Sequence, residues 1–261
     1  MNNKHSTLLD GRHALVTGAG GGIGQAIAVA LASHGARLTL LGRDAAKLEA
    51  VRQQLPGDGH GQVLADITNH QQVQHAFAEA ARARGDIDIL INNAGAARSA
   101  PFGKTDPELW QQMLDTNLGG CYHGIHAALP AMQRHGWGRI VNIASTAGLT
   151  GYAYVAAYCA AKHGVIGLTR ALALELARSG ITVNAVCPGY TDTPLLQAAI
   201  HNIVAKTGRS SAEAEASLAA SNPQGRLIQP EEVANAVLWL CLPGAEAING
   251  QSIAVAGGEV M

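Results

Sequence analysis

His13-Ala-Leu-Val-Thr-Gly-Ala-Gly-Gly-Gly-Ile-Gly24 is the stretch whose reading decides the fold. An apolar, strand-like run passes into a glycine-rich turn, and residues 25–34 then carry apolar side chains at helical spacing. The order is strand, turn, helix. Gly18, Gly22 and Gly24 allow a tight turn, close approach of the backbone to a pyrophosphate and close packing of helix on strand. Ile23 lies between the last two. The helix N-terminus then presents free N–H groups to phosphates. A glycine motif alone is a weak signal, and its place between a strand and a helix strengthens it.

Working outward, residues 36–43, Ala-Arg-Leu-Thr-Leu-Leu-Gly-Arg, read as a second buried strand. In dinucleotide folds the residue at its end reads the adenosine ribose. An acid there hydrogen-bonds a free 2′-hydroxyl, whereas an arginine accommodates a 2′-phosphate. The strand here ends in Gly42-Arg43 without a carboxylate, which favours NADP(H) and leaves NAD(H) as the other option. Asp44, one step late, reads as the N-cap of a helix over 45–54. Residues 62–66 form a short third strand. Asp66 at its end either touches an adenine amino group or caps the helix that starts near Asn69. An amphipathic helix follows over 71–84. Residues 87–95, Ile-Asp-Ile-Leu-Ile-Asn-Asn-Ala-Gly, are a fourth strand running into a second glycine-bearing turn. Asn92, Asn93 and Gly95 there stabilise the sheet and line the cofactor cleft.

A helix is expected over 107–129, capped by Asp106 and with Asn117 inside it. Asparagine is a poor interior helix former. It either kinks the helix and binds a water, or faces solvent. Residues 139–145 are the fifth strand, a helix runs to about 177, and 180–189 are the sixth strand and its turn, ending in Pro188-Gly189. Thr191 is placed to hydrogen-bond a nicotinamide carboxamide, and Thr193-Pro194 opens the next helix. Residues 194–226 are polar and alanine-rich, and such an insert after a strand's C-terminal end is a candidate substrate lid. Pro230-Glu-Glu opens another helix, and 251–258 are the seventh strand. Strands alternating with helices mean a parallel sheet covered on both faces. The expectation is a single α/β domain over 1–261, a Rossmann-type doubly wound seven-stranded sheet in the order 3-2-1-4-5-6-7. Ligands would bind at the C-terminal strand ends, where the order reverses.

Composition narrows the function. The 261 residues are 48% apolar and carry a formal net charge of −1, which gives no reason to invoke nucleic acid or an anionic membrane. Cys121, Cys159, Cys187 and Cys241 form no CxxC pair, which argues against zinc or a disulfide framework and suits a reducing compartment. The eleven histidines show no ligand spacing, so no metal site is expected. The first seven residues are polar and lack a signal-peptide apolar stretch, and no run reaches bilayer-spanning length, so the reading is cytoplasmic with no membrane partner.

The chemistry centres on 145–162, Ser-Thr-Ala-Gly-Leu-Thr-Gly-Tyr-Ala-Tyr-Val-Ala-Ala-Tyr-Cys-Ala-Ala-Lys. Tyr158 and Lys162, at i and i+4 of an alanine-rich helix, share a face. A free tyrosine has a pKa of about 10, and a nearby cation favours the phenolate. The pair can act as a general acid/base. Ser145, at the end of the fifth strand, supplies a hydroxyl to the same oxygen.

These features together resemble the short-chain dehydrogenase/reductase family, in its compact branch, from about residue 11 to 258. The resemblance rests on Thr17-Gly18-x-x-x-Gly22-Ile23-Gly24, Asn92-Asn93-Ala94-Gly95, Asn117, Ser145, Tyr158-x-x-x-Lys162 and Pro188-Gly189, in this order and spacing, with no departure at these positions. It implies a catalytic tetrad. Tyr158 would exchange the proton with the carbonyl or alcohol oxygen. Lys162 would support it and bind the nicotinamide ribose, Ser145 would orient the substrate oxygen, and Asn117 would hold a water that extends the proton relay. The resemblance also implies a homotetramer built on the helices around 107–129 and 158–177 and on the last helix and strand, with the Gly-Glu-Val-Met tail approaching a neighbour.

The expected reaction interconverts a ketone and a secondary alcohol. The segment 210–224 with Gly225-Arg226 resembles lids of members that reduce 3-oxoacyl thioesters, polyketides or aromatic ketones, and Lys206, Arg209 and Arg226 could meet an acyl carrier's phosphates. Leu149, Tyr152, Tyr154, Tyr190, Leu195 and Leu196 would line a mostly apolar pocket, so small aryl or aliphatic ketones are an alternative. A nucleotide-sensing protein without turnover is a second class, opposed by the intact Asn117, Ser145, Tyr158 and Lys162. A sugar-nucleotide epimerase is disfavoured, because it needs a larger substrate domain.

Overall fold

All five residues of β1 (His13–Thr17) are buried, and β1 lies at the centre of the sheet between β2 (Arg37–Gly42) and β4 (Ile89–Asn92). The computed structural model describes residues 8–261; the polar segment 1–7, on which the signal-peptide reading falls, lies outside the described residues. With β3 (Gly61–Leu64), β5 (Gly138–Ile143), β6 (Ile181–Pro188) and β7 (Ser252–Val255), the strands form one parallel seven-stranded sheet in the order β3-β2-β1-β4-β5-β6-β7. The expected order is the observed one.

A parallel sheet buried on both faces needs strands that are apolar on both sides. Leu15 and Val16 of β1, both fully buried, point to opposite cores. Val16 joins Ile27, Leu31, Leu38, Leu40, Val141 and Val237 on the side covered by α1 (Gly22–Ser33), α2 (Ala45–Arg52) and α9 (Pro230–Cys241). Leu15 joins Val73, Phe77, Leu90, Ile125 and Val183 on the side covered by α3 (His70–Arg84). Each fully buried side chain of this kind contributes about 1.5–3 kcal/mol.

The helix expected over 107–129 is longer and interrupted. α4 (Pro107–Leu114) leads through a wide π-helical turn, Asp115–Gly119, into α5 (Gly120–His135). After β5 comes a short 3-10 turn, Thr146–Gly148, and then α6 (Ala156–Glu175). The insert after β6 is two helices, α7 (Pro194–Thr207) and α8 (Ser211–Ala219). They close a small apolar cluster of their own: Leu196, Ile200, Ala214, Ala219 and Leu227. Among the described residues, no helix is long and apolar enough to cross a membrane.

Candidate active site

The turn after β1 is built for close approach. Gly18 has φ +65°, and a Cβ on it would stand 2.8 Å from the Ala94 Cα. A Cβ on Gly24 would run into the Gly18 carbonyl oxygen. α1 begins at Gly22 with no side-chain cap and no acid in its first turn, which leaves its leading N–H groups to an anion. Asn93 locks the turn, donating from Nδ2 to the carbonyls of Thr17 at 2.9 Å and Gly18 at 3.1 Å. The Thr17 hydroxyl accepts the Asn93 and Ala94 N–H groups, each at 2.9 Å. On the far side a Cβ on Gly22 would lie 3.1 Å from the Thr193 methyl, so Thr193 walls the turn.

A cleft of about 530 Å³ opens beside this turn, lined by Gly18, Gly42, Arg43, Asp66, Ala94 and Gly95 among others. Arg43 is exposed at its edge. Asp66 accepts the Thr68 N–H at 2.9 Å and the Thr68 hydroxyl at 2.8 Å. Those bonds, with Arg43 nearby, hold its carboxyl below the usual range. Asp66 does not cap α3. Asn69 stands directly before that helix and accepts the Gln72 N–H at 3.1 Å. The helix-capping reading of Asp66 is thereby corrected, and its side chain lines the cleft.

Lys162 is 4% exposed, and its Nζ donates to the Ile143 carbonyl at 2.8 Å, at the end of β5. The same Nζ lies 5.6 Å from the centroid of the Tyr158 ring one helical turn earlier. Ser145 accepts the Ala147 N–H at 3.1 Å and so caps the 3-10 turn, leaving its own hydroxyl proton free to be donated. Asn117 is fully buried, which excludes the solvent-facing alternative. Its side chain pairs with Ala96 both ways, accepting the N–H at 3.2 Å and donating to the carbonyl at 2.9 Å, and also donates to the Met113 carbonyl at 3.0 Å. Gly95 separates Asn117 from Lys162: a Cβ there would be 2.9 Å from the Asn117 Oδ1 and 3.7 Å from the Lys162 Nζ. Thr191 is buried and donates to the Gly189 carbonyl at 3.0 Å.

Three features were not read from the sequence. A buried polar chain runs from Asn92 to Asn142 at 2.8 Å and on to Thr169 at 3.0 Å, bracing β4 and β5 under the site. Asn142 in an otherwise apolar strand was the available signal. The π-helical form of the break at Asn117, where a kink is one of the two sequence readings, is the second. The third is a carboxylate in the expected apolar pocket. Glu259, in the tail, accepts the Tyr152 hydroxyl at 2.5 Å. Leu196 is buried among the residues of α7 and α8, while Leu149, Tyr154 and Leu195 are exposed. Among the described residues, no cluster of His, Cys, Asp or Glu is placed to hold a metal.

This is the fold and cleft of a dinucleotide-dependent oxidoreductase, and the sequence matches the family described as short chain dehydrogenase over residues 12–203. The chain belongs to that family: it is an NAD(P)-dependent oxidoreductase interconverting ketones and secondary alcohols. It is 38% identical to D-beta-hydroxybutyrate dehydrogenase from Cupriavidus necator, over 97% of this chain and 99% of the relative. It is also 38% identical to acetoacetyl-CoA reductase from an Acinetobacter species, over 95% and 97%. Among solved structures it is similar to an actinorhodin polyketide ketoreductase with NADPH, with a TM-score of 0.91, 38% identity and 99% of each chain covered.

Proposed function

We propose that the chain is an NADPH-dependent reductase of 3-oxoacyl thioesters, giving the 3-hydroxyacyl product, with Tyr158 as proton donor. The observation that carries it is the buried Lys162 ammonium, held beside the Tyr158 ring by the Ile143 carbonyl, two residues before Ser145 at the C-terminal end of β5. Similarity to an acetoacetyl-CoA reductase over nearly the whole chain supports the substrate class.

The residues fit the cofactor. The glycine cradle leaves no room for side chains, and the uncapped start of α1 offers N–H groups to a pyrophosphate. Gly18, Gly22, Ile23 and Gly24 would hold the phosphates, Arg43 a 2′-phosphate, and Asp66 the adenine. Asn93, Gly95, Pro188, Gly189 and Thr191 would flank the nicotinamide end. Bound there, the nicotinamide supplies hydride. Ser145 donates its hydroxyl to the substrate carbonyl and stabilises the charge that develops on oxygen. Tyr158 gives that oxygen its proton, and the Lys162 ammonium stabilises the phenolate left behind. Asn117, pinned to Ala96, exposes its turn to a water through which a proton returns. Residues 194–226, as α7 and α8, act as a lid over the substrate.

The assembly we propose is a homotetramer, supported by the exposed Trp110 of α4, Tyr122 of α5 and Leu174 of α6. Four free cysteines support a reducing, cytoplasmic location. The test follows nicotinamide absorbance with NADPH and acetoacetyl-CoA, beside NADH and a simple aryl ketone. Turnover of the thioester with NADPH is the expected result. Turnover of the aryl ketone alone would replace the substrate class with small ketones.

A further inference from the structure

Near Thr146 and Gly189 stands a carboxylate that the reaction above does not use. Glu259 lies in the tail after β7. One of its oxygens, Oε1, accepts the Tyr152 hydroxyl at 2.5 Å. That hydroxyl is also bonded to the Thr146 Oγ1 at 2.9 Å, one residue from Ser145. The other oxygen, Oε2, is buried and has no hydrogen-bond partner among the described residues. It packs against Gly189, where a Cβ would stand 2.8 Å from it. The Tyr152 and Tyr190 rings meet edge to face with centroids 6.3 Å apart. Burial, then Glu259, then Tyr158 push the Tyr190 phenol above its ordinary value. The carboxylate is therefore fixed against Gly189 and, through the Tyr152 hydroxyl, tied to Thr146, the residue after Ser145.

A buried acceptor oxygen without a donor is disfavoured, and a second negative charge brought near it is opposed by Coulomb repulsion that poor solvation strengthens. No cation is bonded to Glu259 among the described residues to cancel that repulsion. A free 3-oxo acid carries its own carboxylate two carbons from the ketone. A thioester or ester of the same acid is neutral at that position, and the phosphates of a coenzyme thioester lie far from it.

We propose that Glu259 is a specificity-determining residue: its carboxylate excludes free 3-oxo acid anions and admits the same acyl group as a locally neutral thioester or ester. The inference rests on the ketone-reductase reading and deepens it. Tyr152→Phe removes a hydroxyl and leaves the Glu259 charge in the chain, while Glu259→Gln removes the charge and retains an acceptor.

The test compares kcat/KM with NADPH for acetoacetate and methyl acetoacetate, which share one carbon skeleton. The wild type should prefer the ester at least tenfold. Glu259→Gln should raise the acetoacetate-to-ester ratio at least tenfold, and Tyr152→Phe should leave that ratio within threefold. A wild-type preference for acetoacetate would overturn the proposal, as would an unchanged ratio in Glu259→Gln or an equal shift in Tyr152→Phe. A second measurement covers a Glu259 variant that does not fold: in the wild type, 3-hydroxybutyrate should inhibit ester reduction at least tenfold more weakly than methyl 3-hydroxybutyrate, and equal inhibition counts against the charge. If the wild type turns over neither ketone, turnover of acetoacetyl-CoA still decides the thioester reading by itself. The affinities of acetoacetate and its ester for the enzyme–NADP complex, by protein fluorescence, then decide the role of Glu259 on the same ratio.

Discussion

Tyr158 separates chemistry from binding. Tyr158→Phe keeps the ring on α6 and removes only the hydroxyl. Loss of a positioned proton donor costs about 10²–10⁴ in rate, so kcat should fall by that much while NADPH affinity stays within a few-fold; stopped-flow turnover beside fluorescence titration checks it. Arg43 carries the cofactor choice from an exposed position at the cleft edge. A hydrogen bond to a charged group is worth about 1.5–3 kcal/mol. Arg43→Asp should therefore lower the NADPH-to-NADH ratio of kcat/KM by roughly 10–100-fold, and an unchanged ratio removes Arg43 from the 2′-phosphate. The cysteines give a third residue-level result. Burial pushes the Cys121 and Cys187 thiols up to about 11 and the Cys241 thiol up to about 12. Thiolate is the reactive form, so N-ethylmaleimide on the native protein at pH 8 should label Cys159 alone; mass mapping that finds the other three labelled would contradict their burial. Much of the residue-level picture was legible in local spacing. Glu259 was not: its partner Tyr152 is 107 positions away, and no local pattern encodes that pairing.

Elements were most legible where a side chain acts on its own neighbours. Asp44, Asp106 and Thr193 each accept the backbone N–H three residues on, at the helix starts read from the sequence. A break at Asn117 was one of two readings, but its π-helical form was not legible, because its cause is tertiary: Asn117 is bonded to Ala96, 21 positions away, and the helix widens there. Asp66 could be read two ways because it and Asn69 are both capping residue types, and proximity to α3 decides between them. The start of α9 yields a prediction with a pH sign. Glu232 accepts both Arg226 guanidinium nitrogens, at 2.6 and 2.7 Å, and the Gln229 N–H at 2.8 Å. Arg226 first, then that N–H, hold its carboxyl down at about 2. A carboxyl depressed on folding stabilises above its unfolded pKa, near 4.3, and loses that contribution as pH falls toward 2. The pair is largely exposed, so solvent screening keeps its contribution small. Glu232→Gln should lower the urea midpoint slightly at pH 7, with the gap to wild type closing below pH 4. A gap that widens in acid would mean that Glu232 is not ion-paired in solution.

At the scale of the whole molecule, the cradle, cleft and Tyr158–Lys162 pair gather where the strand order reverses beside β1. The parallel order itself was readable, because alternating strand and helix patterns leave few ways to bury both sheet faces. The path of α7 and α8 was not, since their small apolar cluster is separate from the two main cores. A ligand that binds only the folded chain stabilises it by about 2.7 kcal/mol at 100 times its Kd. For a domain of this size, 1 kcal/mol moves the midpoint by about 2–4 °C. Saturating NADPH should therefore raise Tm by roughly 5–10 °C, and NADH at equal concentration should raise it less. The difference between the two cofactors should collapse in Arg43→Asp and persist in Tyr158→Phe, because the first alters recognition of the phosphate and the second only the proton. Scanning fluorimetry of the three proteins with both cofactors reads this directly. If Tyr158→Phe loses the NADPH shift together with turnover, the phenol serves binding as much as chemistry, and its role as proton donor alone falls.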